Sequence, residues 1–294
     1  MAIKESRGDQ IFKTCVVIVV VLLAFICLVP FLNILAVSMS GRDEVQSGMV
    51  FLWPVNLDFK AYNTVFSNSK MWRSLWFTIK ITVTQTVLAL AMTCMCAYPM
   101  SRSDLKGRNF FLTFFMFTMY FSGGMIAGYL NISSLGLMDS FWVLVLPGLI
   151  STYNMILMKT FFGSLPKELE ESAYIDGAND AVILVRIILP LSKAMLATLG
   201  LFYAVGRWNG FSDALLYINT EAKFPLQLKL RQIITQYSAS DELRQDTQDA
   251  LAEKLVLETV RAACLIFSMV PIMMVYPWLQ KYFVKGVMIG SVKG

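Results

Sequence analysis

The feature that most limits what this chain can fold into is the recurrence of apolar runs long enough to cross a bilayer. A helix of about 20 residues spans the hydrocarbon core. Such runs fall at about 11–37, 75–100, 110–130, 141–162, 187–205 and 262–283. Backbone amides and carbonyls in hydrocarbon must be satisfied within the segment, so these runs are expected to be helical. The first run is too long for the apolar region of a secretory signal and lacks a small-residue cleavage pattern, so it is kept as a helix. Composition agrees. Of 294 residues 56% are hydrophobic and 15% charged, whereas a soluble domain carries about 25% charged residues. The sequence predicts an all-α integral membrane protein with six transmembrane helices. An N-terminal arm (1–10) precedes the six-span domain (11–285), and a tail (286–294) follows it.

Charge placement sets the orientation. Basic residues favour the cytoplasmic side in short loops. The N-terminal arm and the start of the first run carry Lys4, Arg7 and Lys13. The link after the second run carries Arg102, Lys106 and Arg108, and the fourth run's end and its link carry Lys159, Lys167 and Arg186. The tail region carries Lys281, Lys285 and Lys293, and the short link 131–138 has no Lys or Arg. Both termini and the two basic links are therefore expected in the cytoplasm, and the long links at about 38–72 and 208–260 outside. These basic ends account for the net charge of +5, and no nucleic-acid partner is needed to explain it.

Much chemistry is missing. There is no His, the commonest proton shuttle and metal ligand. No GxxxxGK[ST] phosphate loop occurs, so the chain has no means of using ATP itself. No catalytic triad, metal cluster or membrane-embedded carboxylate pair is visible. No catalytic or metal-ligating residue is assigned, and an enzyme is not expected. The five cysteines, Cys15, Cys27, Cys94, Cys96 and Cys264, lie in apolar runs and are expected to pack rather than pair. Gly124 and Gly128 have the spacing that lets two helices approach closely. Lys80 and Lys193 lie inside apolar runs. An intramembrane charge is a functional candidate by default. Each is also within about two turns of a span's end (Lys80 near the outside, Lys193 near the cytoplasm), and snorkelling explains both.

The link 163–186 differs from the others. Pro166 suits a helix's first turn, Glu168, Glu170 and Glu171 complement its dipole, and Gly177 can end it in a left-handed turn. A helix of about three turns is expected, with a second starting near Asp180 and reaching Pro190. The letters Glu171-Ser172-Ala173, three residues, Gly177, nine residues, then Ile187-Ile188-Leu189-Pro190 resemble the EAA loop of ABC importer permeases. Ser172 in place of the middle Ala is the one departure. Ala97-Tyr98-Pro99-Met100-Ser101-Arg102, Trp208-Asn209 and Pro225-Leu226 look like segments of the carbohydrate permeases. Gly8-Asp9-Gln10-Ile11-Phe12, Phe121-Ser122-Gly123-Gly124 and Leu146-Pro147-Gly148 resemble the branch importing complex oligosaccharides such as aldouronates.

That resemblance, to a maltose-permease-G-like half, implies the type I importer permease fold in a bacterial cell membrane. It implies a cytoplasmic coupling helix carried by Glu171, Ser172, Ala173, Asp176, Gly177, Ile187, Leu189 and Pro190. It also implies a second, different permease subunit, two ATPase subunits that hold ATP and Mg, and an extracellular or periplasmic solute-binding protein. No cofactor is expected on this chain. The cargo would be an oligosaccharide or polysaccharide fragment. Sugars bind through aromatic faces and hydrogen-bonding groups, so Tyr120, Asn131, Tyr153, Asn154, Tyr203, Trp208 and Asn209 are candidates for its path. An ABC permease for a non-sugar solute is the alternative. A secondary transporter would show two repeats and ionisable groups at the midplane.

Overall fold

The structure, a computed structural model, describes residues 7–243, 258–275 and 277. Lys4, the charged stretch from Arg244 through Lys254, the end of the sixth run (276 and 278–283), Lys281, Lys285, Lys293 and the tail lie outside the described residues. Among those described, every regular element is a helix, beside one isolated bridge between Ser40 and Leu57. The chain divides into two compact units, Met1–Met71 with Leu230–Val270, and Trp72–Lys229 with Pro271–Gly294.

The first unit begins with α1 (Arg7–Ser38), followed by α2 (Arg42–Gln46) and α3 (Lys60–Ser67). α1 is apolar on all sides, and its most apolar stretch has no buried residue. A helix of that composition is at home in lipid. Cys15 and Cys27, expected to pack, are exposed on it, because nothing among the described residues covers that length of helix. Cys94 and Cys264 are buried, Cys96 is half-buried, and all five are free thiols. The end of α1 is tied down by polar contacts. Ser40 Oγ donates to the Ala36 carbonyl at 2.7 Å and accepts from the Val55 amide at 3.1 Å. Ser38 Oγ and the Tyr62 hydroxyl lie 2.8 Å apart.

In the second unit α4 (Ser69–Ser101) is a long straight run, and α14 (Glu258–Val275) ends there. With α1, these are the three described helices long and apolar enough to cross a membrane unaided. The other three apolar runs are each broken in two. α5 (Arg108–Tyr120) and α6 (Gly124–Ser134) meet at 111°. Gly124 has φ +80°, a conformation a side chain resists, so the break follows from the glycine pair. The Gly124/Gly128 spacing therefore begins at a bend rather than on a straight helix face. The run Trp142–Gly148 turns by 49° into α7 (Thr152–Phe162) after Pro147-Gly148, and Ser151 caps the new helix. α9 (Asp180–Ile183), a π-turn at Leu184–Ile188 and α10 (Leu189–Leu191) turn by 84° into α11 (Lys193–Asn209). Pro190 and the wide π-turn sit just before that corner, both common causes of a break.

Lipid gives packed helices no hydrophobic drive toward one another, so small residues and polar contacts matter. Thr93 and the Tyr203 hydroxyl lie 2.7 Å apart, joining α4 to α11. Gly200 of α11 lies against α4, where an added Cβ would stand 3.3 Å from Leu90. α12 (Ser212–Tyr217) and α13 (Leu226–Leu243) follow. The first residue of α13 donates its amide to Thr78 Oγ1 at 2.8 Å.

At this end of the unit Asp139 holds two loops together from a left-handed conformation of its own, φ +52°. Its carboxylate accepts from the Asn219 and Thr220 amides at 3.1 and 3.0 Å, from Thr220 Oγ1 at 2.6 Å and from Lys223 Nζ at 2.8 Å. Lys223 and Thr220 hold this carboxyl well below its ordinary range. A depressed carboxyl stabilises the fold above the unfolded value near 4 and loses that contribution as pH falls below it. Asp139→Asn should therefore lower the thermal unfolding midpoint of the detergent-solubilised protein at pH 7. The gap to the unmodified chain should shrink as pH drops below about 4. A gap independent of pH would mean that the charge of Asp139 is not what holds these loops.

Candidate functional site

The site grows out of the link between α7 and α9. Phe162 ends α7, and after a short turn α8 (Glu168–Ile175) begins with Glu168, Glu170 and Glu171 in its first turn. It spans two turns rather than three, because Pro166 and Lys167 belong to the preceding turn and Gly177 closes the helix early. Gly177 has φ +79°, its amide donates to the Tyr174 carbonyl at 3.0 Å, and the Ala178 amide donates to the Ala173 carbonyl at 2.9 Å. These paired bonds form the Schellman motif. Asn179 then caps α9, its side chain accepting from the Val182 amide at 2.9 Å. Asp176 is exposed in the turn between them.

The two faces of α8 differ. Ala173 is buried at 8% exposure in a core built from Ala97 and Tyr98 of α4, Met155, Met158 and Phe162 of α7, and Leu199 of α11. Ile183 and Ile188 are buried in the same core, and Ile187 and Leu189 pack against it. Pro190 is exposed. The opposite face is open: Glu171 and Ser172 are exposed, and Ile175 is 87% exposed. Ser172 Oγ returns to the Glu168 carbonyl at 2.9 Å, so it adds no bulk to the open face.

Arg102 ties this helix to the end of α4. Its Nη1 donates to the Tyr98 hydroxyl at 3.0 Å, to Asp180 Oδ1 at 3.1 Å and to the Tyr174 hydroxyl, and lies 3.4 Å from Glu170. Tyr174 in turn donates to Asp180. The guanidinium carbon stands 5.6 Å from the Tyr98 ring centroid and 5.2 Å from that of Tyr174. Burial and the bond to Asp180 raise the pKa of the Tyr174 phenol, which therefore stays a donor. Asp180 is largely exposed, so its pair with Arg102 contributes no more than about 1 kcal/mol.

Sequence reasoning named the residues of α8 and the Ile-Ile-Leu-Pro segment, but it missed Glu170, Tyr174 and Asp180 as partners and Ile188 as the buried member of its segment. Arg102 entered only through its motif and the basic charge of its link. Tyr174 and Asp180 at i and i+6 straddle a glycine turn, and that spacing was the available signal.

The residues expected along a cargo path differ in exposure. Tyr120 at the end of α5 is 79% exposed, Tyr153 is 55% exposed, and Asn131 and Asn209 are exposed. Asn154, Tyr203 and Trp208 are buried. Tyr203 bonds Thr93 and accepts from the Ser151 amide at 3.3 Å, a contact between helices. Trp208 lines an apolar groove of about 340 Å³ with Ile79, Val83, Leu201, Val205 and Ile272, an environment that suits hydrocarbon rather than sugar hydroxyls. Beside it Arg207 is buried and paired with Asp213 at 3.0 Å. Among the described residues no cluster could hold a metal ion.

The short helix α8 thus has a buried small residue, an open acidic face and a polar tie to the end of a spanning helix. The chain belongs to the family of binding-protein-dependent transport system inner membrane components, which it matches over residues 2–289. It is 42% identical to Protein LplC of Bacillus subtilis (strain 168) over 290 residues, covering 99% of this chain and 97% of that protein. It is 39% identical over 287 residues to the polygalacturonan/rhamnogalacturonan transport system permease protein YtcP of the same organism, covering 97% of this chain and 99% of that protein. Its fold matches a chain of a bacterial ABC transporter involved in the import of the acidic polysaccharide alginate. The TM-score is 0.84, the identity 35%, and the match covers 96% of this chain and all of that one. The chain is thus a permease subunit of a binding-protein-dependent ABC importer, with the all-helical type I permease fold, and is not itself an enzyme.

If Arg102 fixes the angle of α8, then Arg102→Gln should cut cargo-stimulated ATP hydrolysis by the assembled importer about tenfold. Arg102→Lys should recover only part of it, since an ammonium keeps the charge but lacks the plane that lies against the Tyr98 and Tyr174 rings. Full stimulation in Arg102→Gln would show that the tie is dispensable.

Proposed function

We propose that α8 is the coupling helix through which separate ATPase subunits drive this permease. The open face of Glu171, Ser172 and Ile175, opposite the buried Ala173, is the observation that carries this reading. A short helix seated in a cleft of the motor moves when the motor subunits close, and its buried side carries the ends of α4, α7 and α11 with it. Glu171 offers a carboxylate to donors in that cleft. Gly177 fixes the return of the chain toward the membrane. Each straight helix and each bent pair counts as one span, which gives six spans, with both termini and the α8 link in the cytoplasm. The basic residues beside these segments support that orientation. The chain carries one such loop and a motor dimer offers two clefts. It therefore works beside a second permease, a different one by its resemblance to one half of a paired system, with two ATPase subunits that hold ATP and Mg below and a solute-binding protein outside. Its cargo is an oligosaccharide or polysaccharide fragment, as the names of its relatives support.

Gly177→Leu places a side chain in a left-handed conformation at a cost of about 1–2 kcal/mol. Glu171→Lys reverses charge on the docking face. Both should leave the membrane domain folded while uptake and cargo-stimulated ATP hydrolysis fall together. Unchanged stimulation in both variants would remove α8 from the mechanism. Topology is tested separately: a reporter joined after Asn131 should read outside and one after Pro166 inside, and the reverse at either point would contradict the six-span arrangement. Energised uptake should require all four kinds of subunit, and uptake by this chain alone in vesicles under an ion gradient would favour a secondary transporter.

A further inference from the structure

Lys80 takes no part in the packing or coupling described above. It lies on α4 about 11 Å along the axis beyond Arg73, within an apolar run. A cation there faces water, a partner or a cavity more readily than lipid. Its side chain is exposed, and its ammonium stands 5.5 Å from the centroid of the Phe141 ring. Among the described residues no carboxylate pairs with it. The nearby acid Asp139 is engaged by Lys223 and Thr220. The charge is therefore held by an aromatic face and left uncompensated.

The surroundings of that charge are aromatic and open. Trp76, one turn earlier on the same face of α4, is 65% exposed. Phe141 is fixed edge-on by Phe77, with centroids 6.0 Å apart, and continues at 5.6 Å into Trp142, which is 48% exposed. Aromatic faces receive the C–H faces of sugar rings, and an ammonium is a point charge suited to a carboxylate. Together they have the chemistry to recognise a sugar ring that carries an acid group. Under the topology proposed above, Phe141 follows an outer link, so this surface lies where cargo arrives.

We propose that Lys80, on the aromatic platform of Phe141 with Trp76 and Trp142, binds the carboxylate of a uronic acid unit in the incoming oligosaccharide and selects acidic over neutral cargo. The proposal rests on the oligosaccharide-importer reading and adds the substrate's charge and the residue that reads it. A salt-bridged carboxylate would also explain why a lone cation is kept at this depth.

The test uses the complete importer in proteoliposomes with its own binding protein. The probes are a trigalacturonide and its carboxyl-reduced, neutral counterpart, each at a concentration well below saturation. The readout is the ratio of acidic to neutral uptake, which is insensitive to a general loss of folding or assembly. Lys80→Gln should lower that ratio about tenfold, Lys80→Glu should lower it further, and Lys80→Arg should restore most of it. A ratio unchanged in Lys80→Gln and Lys80→Glu, with both sugars slowed equally or neither slowed, would overturn the role of Lys80. An importer that moves neither probe before any substitution, nor any other oligosaccharide, would overturn the cargo reading and this proposal with it.

Discussion

The placement of α8 depends on one guanidinium. Arg102 closes α4, and four groups converge on it: the Tyr98 hydroxyl from its own helix, Glu170 and Tyr174 from α8, and Asp180 from the start of α9. α8 has only eight residues and would not persist alone. Ala173 gives it one apolar anchor, and Arg102 gives it a polar one on the same side. Between them the helix is fixed to the spans in position and in rotation, and its outer face is left free. A loosely held helix could dock on a motor but could not transmit the motor's displacement.

The broken spans on either side meet a second constraint at their corners. Backbone polar groups freed at a corner must find partners inside protein, since hydrocarbon supplies none. At the turn into α7 the Ser151 hydroxyl accepts from the Asn154 amide and the Ser151 amide donates to Tyr203. At the turn into α11 Ser192 is buried and donates to the Ile188 carbonyl at 2.7 Å. The corners are thus satisfied locally, and each lies next to a residue of the core that holds Ala173 or in contact with it. In the proposed coupling role, a rotation of α8 would reach α7 and α11 through that core.

The apolar runs, the acidic first turn of α8 and the glycine at its end were legible in the sequence because each is a local effect with a fixed period or position. Gly177 and Ala173 stand where the letters put them. The corners were not legible as breaks, since Gly123-Gly124, Pro147-Gly148 and Pro190 are tolerated in continuous membrane helices elsewhere. Cys15 and Cys27 were misjudged because an apolar run does not say whether protein or lipid surrounds it. The convergence on Arg102 spans 72 and 78 residues of sequence to Tyr174 and Asp180, and no periodicity reports a contact of that range. Asn154 and Trp208 have the side chains a sugar path needs, yet they are buried, and their residue types alone gave no sign of it.

The central claim is that the exposed face of α8 meets the motor while the opposite face is held by Arg102 and the core. The most direct measurement places a photo-crosslinking amino acid at Ile175, the most exposed apolar position on α8, in the fully assembled importer. Irradiation should join this chain to an ATPase subunit, with a yield that changes when ATP binding closes the motor. The same label at Ala173, in the core, should give no such product. An importer that transports cargo yet shows no ATPase adduct from Ile175 would contradict the account.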